Sequence, residues 1–472
     1  MPNPPTELRE LRVDRPVHGG RCVALPADAG EAMAPTSGPA AEAPGARVPR
    51  RVPLVLLAGG IPGERVVARI ETRKGVDFGE VVEVLDASPD RVAAPVHPGL
   101  DLGHVALGRQ LELKHAVLLD AARRAGVALP VEVPTVTPSP RPWGYRSAIQ
   151  PAVASSGTPA TLGYRRPGAH DVVPLDADPT ANPACAAAWA AVTSVGLPAG
   201  VREVAIRGND DGEALIALVA AVPARAPRGP RAGPRGSHAA RPRRGTPAAG
   251  DPGDPLETGH ALVRAGVAGV ALAPYDPRGR FRGGAQRLAG ARSLRQRVGD
   301  VEITLTATAF AQPNPAAAGA LFRELASWAP SARHALDLYG GNGVIGLHLA
   351  PRSERVTVIE IDRGAVERGR ADAQRMGAKH VMHVRLDARE LRVPDDADLV
   401  CVDPPRAGLA AVTRQAIVES RAKTLIYVSC DVATWARDVA DLQRAGFRLA
   451  RLRPYDFQPH THHLEILSLL VR

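Results

Sequence analysis

Thr424-Leu-Ile-Tyr-Val-Ser-Cys430 is an apolar, β-branched run set between Lys423 and Asp431, and the helical stretch Ala433-Thr-Trp-Ala-Arg-Asp438 follows it. A run of this length bounded by polar residues reads as a buried strand of a parallel sheet. It ends on a cysteine, where the chain must turn into a helix. Ligands of open α/β sheets gather at the carboxyl ends of the strands. A thiol there is expected to be reachable, and a helix N-terminus beside it favours its thiolate. Taken alone, Cys430 is equally well explained as a small buried hydrophobe.

The surrounding pattern sets the fold. Residues 335–339, 355–361, 380–386 and 398–403 read as strands separated by helical runs, and 424–430 is the fifth. Residues 447–453 and 464–471 then close the chain as two strands with no helix between them. Five βα units followed by a β-hairpin is the order of the methyltransferase type of doubly wound sheet, an α/β fold.

Three stretches place chemistry on that sheet. Asp337-Leu-Tyr-Gly-Gly-Asn-Gly-Val-Ile-Gly346 follows the first strand and opens a helix. Its glycines let the backbone approach a nucleoside, and Glu360 ends the next strand, where a carboxylate can grip a ribose diol. Gly341, Gly343 and Gly346 also satisfy the dinucleotide pattern, so the loop alone does not separate a nicotinamide cofactor from S-adenosylmethionine. Val402-Asp403-Pro-Pro-Arg406-Ala-Gly408 ends the fourth strand; its prolines stiffen the backbone and remove two amide donors, leaving Asp403 and Arg406 as polar hands. Arginine after the prolines, where amino-group methylases usually carry an aromatic, argues against that chemistry. Asp456-Phe-Gln-Pro-His-Thr-His-His-Leu-Glu465 joins the last two strands. An antiparallel last strand inserted beside the fifth brings Glu465 to the edge where Cys430 stands, a nucleophile and a base in one place. His460, His462 and His463 lack a matching ligand set and are read as shaping the loop, with no metal expected.

The N-terminal part alternates short β-rich runs with glycine turns: 8–13, 21–25, 52–58, 65–72 and 78–85. Five such strands suggest a small OB-like barrel, an oligonucleotide-binding platform. Residues 27–50 are expected to be a disordered insertion. Residues 107–125 carry apolar positions at helical spacing and stop before Gly126. Trp143-Gly-Tyr-Arg-Ser147, Leu162-Gly-Tyr-Arg165 and residues 203–222 suggest a β-rich central domain, interrupted by an Arg/Pro/Gly arm at 223–256. Domain boundaries are set at 1–90, 91–300 and 301–472.

The net charge of +10 points to a polyanion. Seven arginines between Arg225 and Arg244, with no acid among them, account for most of it and leave +3 elsewhere, so charge permits nucleic acid without demanding it. Cys22, Cys185, Cys401 and Cys430 are far apart and form neither a disulfide framework nor a zinc pattern. Glu7, Arg9 and Glu10 stand where a signal peptide needs an apolar core, and no run reaches membrane-spanning length. A cytoplasmic monomer without membrane contact is expected.

Phe310-Ala-Gln312-Pro-Asn314, the Asp-Leu-Tyr-Gly-Gly-Asn-Gly loop, Asp-Pro-Pro-Arg-Ala-Gly, Val-Ser-Cys430 and His-Thr-His-His-Leu-Glu465 occur in that order. Together they resemble the TRAM-domain RNA 5-methyluridine (uracil-C5) methyltransferase family; the resemblance extends more weakly to the barrel and the Trp-Gly-Tyr-Arg segment. It implies an RNA substrate, transfer RNA or ribosomal RNA, and S-adenosylmethionine as methyl donor. It implies that Cys430 adds to C6 of a uridine and that Glu465 removes the C5 proton. Gln312, Tyr339, Gly341, Glu360, Asp387 and Asp403 match cofactor-binding positions, and Arg406 and Phe310 face the substrate. Many members carry a cysteine quartet for an iron–sulfur cluster after the barrel; Ala94-Pro-Val-His-Pro-Gly-Leu-Asp-Leu-Gly-His104 has no cysteine, so no cluster is expected. Asp431 stands where asparagine is common, which is expected to raise the Cys430 pKa modestly. The competing readings are a methyltransferase of another nucleobase or small molecule, and a catalytically inactive RNA-binding relative.

Overall fold

The structure, a computed structural model, describes residues 7–28, 54–221, 253–275, 281 and 284–472. The chain divides into two compact units, one formed by Met1–Pro142 with Ala317–Arg472 and the other by Trp143–Ala316. The insertion expected at 27–50 and most of the arm expected at 223–256 lie outside the described residues. The arm does not extend to 256, because a helix begins at Pro255; Asp254 caps it by accepting from the Leu256 amide at 2.9 Å.

In the first unit, strands β1 (Glu7–Val17), β2 (Arg21–Pro26), β3 (Val55–Ala58), β4 (Arg65–Arg73) and β5 (Val76–Asp86) form a closed barrel in the order β1-β2-β3-β5-β4. Alternate residues point inward, with Leu11, Val13, Leu57, Val66 and Ala68 filling its core. Helix α1 (Leu107–Ala125) follows and ends on Gly126, left-handed at φ 71°. Its Leu118 and Ala122 share one core with Trp435 and Leu442 of the C-terminal sheet's helices, so α1 belongs with that sheet. The compact division therefore falls at 142/143 and 316/317, where the sequence reading set 90/91 and 300/301.

The C-terminal sheet comprises β6 (Ala332–Leu338), β7 (Ser353–Glu360), β8 (Val381–Arg385), β9 (Leu399–Val402), β10 (Thr424–Ser429), β11 (Arg448–Tyr455) and β12 (Glu465–Val471). Its order is β8-β7-β6-β9-β10-β12-β11, with β12 antiparallel to both neighbours. This is the expected doubly wound sheet with a terminal hairpin. Its crossovers are α2 (Val344–Leu349), α3 (Arg363–Arg375), α4 (Ala411–Glu419) and α5 (Val432–Arg444). One expectation fails: β8 and β9 are joined by a single 3-10 turn, Ala388–Glu390, and by no α-helix. Pro394 within that short connection removes the amide a continuing helix would need.

The second unit, described separately, carries an eight-stranded sheet and a two-stranded one. Helices Pro183–Val195 and Pro255–Arg264 pack on the larger sheet, with Trp189, Val192 and Leu262 in its core. The expected β-rich central domain is present. Among the described residues no helix is long and apolar enough to cross a membrane.

Asp438 of α5 is fully buried and ties three elements together. It accepts from the Tyr427 hydroxyl of β10 at 2.8 Å, the Leu409 amide at 2.7 Å and the Arg414 guanidinium of α4 at 2.9 Å. Asp438→Ala would strand all three donors in the core and cost roughly 3–5 kcal/mol. Denaturant unfolding of the two proteins measures it; a loss under about 1 kcal/mol would mean the network is not structural.

Candidate active site

Strand register decides which side chains meet. Ser429 lies opposite Ile466, the last pair of the antiparallel β10/β12 ladder, so one further step sets Cys430 opposite Glu465. On its other side Glu465 pairs with Tyr455 of β11. The Trp435 indole in α5 donates to the Ser468 hydroxyl of β12 at 2.9 Å, so the helix after Cys430 and the strand after Glu465 are pinned to each other. Glu465 is 6% exposed and Cys430 half-buried.

Both groups prefer their neutral forms. Burial pushes the Cys430 thiol up to about 12, reinforced by the charges of Glu465 and Asp403 and opposed by Arg406. Burial also raises the Glu465 carboxyl well above the carboxylate range, with Asp403 adding to it. Asp403 itself is raised to about 7 by burial. The expected thiolate-favouring surroundings are thus overturned: α5 does begin two residues after Cys430, but desolvation and two carboxylates outweigh its dipole. Asp431 acts in the expected direction, as the smallest of the charges raising the thiol. Cys22, Cys185 and Cys401 are buried core groups.

Tyr339, Gly341, Glu360, Asp387, Asp403 and Arg406 join Cys430 and Glu465 at the carboxyl edge of the sheet, because each ends or follows a parallel strand. Tyr339 takes a left-handed φ of 62° and donates to Thr413 Oγ1 at 3.3 Å. The Gly341 amide donates to Glu360 Oε2 at 3.1 Å, and the Gly346 amide to Asp337 Oδ2 at 2.8 Å. A Cβ on Gly340 would sit 2.5 Å from Val358 and 2.8 Å from Asp337, so this tight loop needs glycine there. Asp387 is claimed by Arg389 at 2.5 Å and held near 2 by that hydrogen bond. Arg406 is exposed and bonds His463 Nε2 at 3.1 Å. Gln312 and Phe310 belong to the second unit, where the Gln312 carbonyl accepts from Ser147 at 3.4 Å and Phe310 is 78% exposed.

The histidine loop is shaped as expected. The Gln110 side chain of α1 receives the His460 amide at 2.7 Å, and Asp101 receives the His462 ring at 2.5 Å. Among the described residues no three His, Cys, Asp or Glu are placed to hold a metal.

Two residues escaped the sequence reading. Asp337 is fully buried, its Oδ1 has no hydrogen-bond partner among the described residues, and burial raises it to about 7 despite the Gly346 amide. It stands inside the quoted glycine motif, which could have exposed it. His18, in the barrel, pairs with Asp431 at 3.2 Å; no local pattern marks it.

This edge suits a cation better than a diphosphate. Asp337, Glu360, Asp403 and Glu465 crowd it with acids, and Asp403 and Glu360 raise Asp337 further. The loop amides of Gly341 and Gly346 that could cradle phosphate already face the chain's own carboxylates. A nucleoside bearing a sulfonium fits such a field, and a dinucleotide would be repelled by it.

Fold and edge together define an S-adenosylmethionine-dependent methyltransferase. Residues 295–472 match the tRNA (uracil-5-)-methyltransferase family profile. An uncharacterized RNA methyltransferase of Thermosynechococcus vestitus is 30% identical over 88% of this chain and 93% of its own length. The 23S rRNA (uracil(1939)-C(5))-methyltransferase RlmD of Chromohalobacter salexigens is 31% identical over 89% of this chain and 84% of its own. The Pyrococcus abyssi tRNA (uracil-54, C5)-methyltransferase, solved with S-adenosyl-L-homocysteine, shares the fold at a TM-score of 0.69 and 21% identity, over 98% of this chain and all of that one. The chain belongs to the family of RNA (uracil-C5) methyltransferases.

Asp337 sets a pH-dependent stability. With its folded value raised to about 7, it favours folding at low pH, and that contribution is lost as pH rises through 7. Asp337→Asn, which keeps an acceptor for Gly346, is expected to lose less thermal stability than the parent between pH 5 and 9 without cofactor. Melting curves across that range check it; parallel slopes would refute it.

Proposed function

We propose that the chain methylates C5 of a uridine in RNA, using Cys430 as nucleophile and Glu465 as base. The observation that carries this is the β10/β12 register, which sets the thiol opposite the carboxyl at one sheet edge. C5 of uracil is too weak a carbon nucleophile to attack a sulfonium methyl unaided, so covalent activation is required. Cys430 gives its proton to solvent water as Sγ adds to C6, and the C5=C6 electron pair moves onto C5 and O4. S-adenosylmethionine, when bound, supplies an electrophilic methyl group for C5. Glu465 then accepts the C5 proton, the C–H pair re-forms C5=C6, and the sulfur departs from C6. The Glu465 carboxylate, once its own proton has left to solvent, is made more basic by burial than a solvated carboxylate and so accepts that proton more readily.

Tyr339, Gly341, Glu360, Asp387 and Asp403 would hold the cofactor; Gln312 is a further position that the family resemblance assigns to it. Glu360 suits a ribose diol, and Asp403 lends negative charge beside the sulfonium. Arg406 and Phe310 would meet the RNA: one exposed guanidinium, one exposed ring able to stack on a base. The target base must leave its stack to reach Cys430. The barrel would serve as the RNA-binding module. The RlmD relative acts on 23S rRNA, which supports ribosomal RNA as the substrate class. Four unpaired cysteines suit the reducing cytoplasm.

RNA carrying 5-fluorouridine has no C5 proton to surrender, so incubation with it and cofactor is expected to leave a stable adduct at Cys430. Cys430→Ala should form none. Glu465→Gln should accumulate an adduct on ordinary uridine RNA and turn over at least about 100-fold more slowly, seen as a band shift on denaturing gels. Absence of any adduct with the parent protein would sink the assignment.

A further inference from the structure

The turn joining β1 to β2 reaches out of the barrel to the loop that carries the nucleophile. His18 Nε2 lies 3.2 Å from Asp431 Oδ2, the residue next to Cys430, and its ring meets His462 edge-on with centroids 6.2 Å apart. Two residues on, Gly20 is left-handed at φ 73°, and a Cβ there would sit 1.8 Å from Asp101 Oδ2 and 3.1 Å from His462 Nδ1. That turn is therefore seated at two points, on Asp431 and on the Asp101–His462 pair.

Asp431 cannot move away from the thiol. Its side chain caps α5 through the Thr434 amide at 2.9 Å, and its carbonyl accepts from Ser429 at 3.1 Å. A fixed carboxylate beside Cys430 opposes the negative sulfur that attack requires, on top of Glu465 and Asp403. His18 is the cation paired with it.

We propose that His18 is a positioning residue of the methyl-transfer site, whose imidazolium neutralises Asp431 and so favours negative charge on Cys430 during attack. This rests on Cys430 as nucleophile, and it makes the barrel an electrostatic part of the site as well as an RNA-facing module. The groups facing His18 are Asp431, Arg406 and His462; Asp431 holds it protonated, with burial and Arg406 opposing. A His18 raised above its ordinary value loses its charge as pH rises through that raised value, so its help fades in alkali.

Cys430 is the one cysteine of the four that is not buried, so iodoacetamide reports its thiolate without RNA. At pH 7 His18→Ala is expected to slow alkylation about tenfold, as for one unit in the thiol's pKa, and the deficit should close as pH rises and His18 of the parent loses its proton. His18→Gln, which keeps a hydrogen bond but no charge, should resemble His18→Ala; His18→Lys should restore the rate. Asp431→Asn, which keeps the cap, should alkylate faster than the parent, and adding His18→Ala to it should change nothing. Adduct formation with 5-fluorouridine RNA should follow the same order, without matching losses in RNA affinity. The inference is overturned if His18→Ala matches the parent, if His18→Gln restores the rate, or if the His18 effect survives in Asp431→Asn. Alkylation as expected without RNA adduct would instead sink the uridine reading and leave the His18–Asp431 coupling standing.

Discussion

The last pair of the β10/β12 ladder, Ser429 with Ile466, is the constraint on which the site depends. A strand's side chains alternate faces, so a slip of one residue would turn Glu465 to the opposite face and separate it from Cys430. The apolar runs of both strands resist that slip, since Leu425, Tyr427, Ile466 and Leu470 lie in one core. Trp435 bonded to Ser468 and Asp438 gathering Tyr427, Leu409 and Arg414 guard the same register from the helix side.

The second organising feature is concentrated negative charge. Asp337, Glu360, Asp403 and Glu465 converge because parallel strands all end on one edge and each strand ends on, or opens, a polar residue. Burial raises Asp337 and Asp403 to about 7 and Glu465 well above the carboxylate range. The same crowding makes the edge receptive to a cation and resistant to phosphates. It also burdens the thiol, and the Arg406 charge opposes that burden.

Much of this was legible in residues 335–471. Apolar β-branched runs at regular spacing marked the sheet, and the hairpin after β10 marked its type, because periodicity and strand-ending polar residues are local properties. The helix assigned between β8 and β9 was misread for the same reason: local polarity suggested a crossover helix, while Pro394 and the short span left room for one 3-10 turn. The thiol's surroundings were misread too. Proximity to a helix N-terminus is visible along the chain, whereas burial of the thiol and the charges of Glu465 and Asp403 beside it are not.

The sequence alone determined the barrel followed by a doubly wound sheet with its terminal hairpin, apart from the β8–β9 crossover, and the residue types able to serve a methyl transfer to a pyrimidine. Short-range pattern suffices for those, since propensity, alternation and turn chemistry act over a few residues. Tertiary structure alone decided that α1 joins the C-terminal sheet, that Cys430 rests as a neutral thiol, and that His18 of the barrel stands against Asp431. Those outcomes come from burial and charge between segments from about thirty to several hundred residues apart, where no local signal reaches.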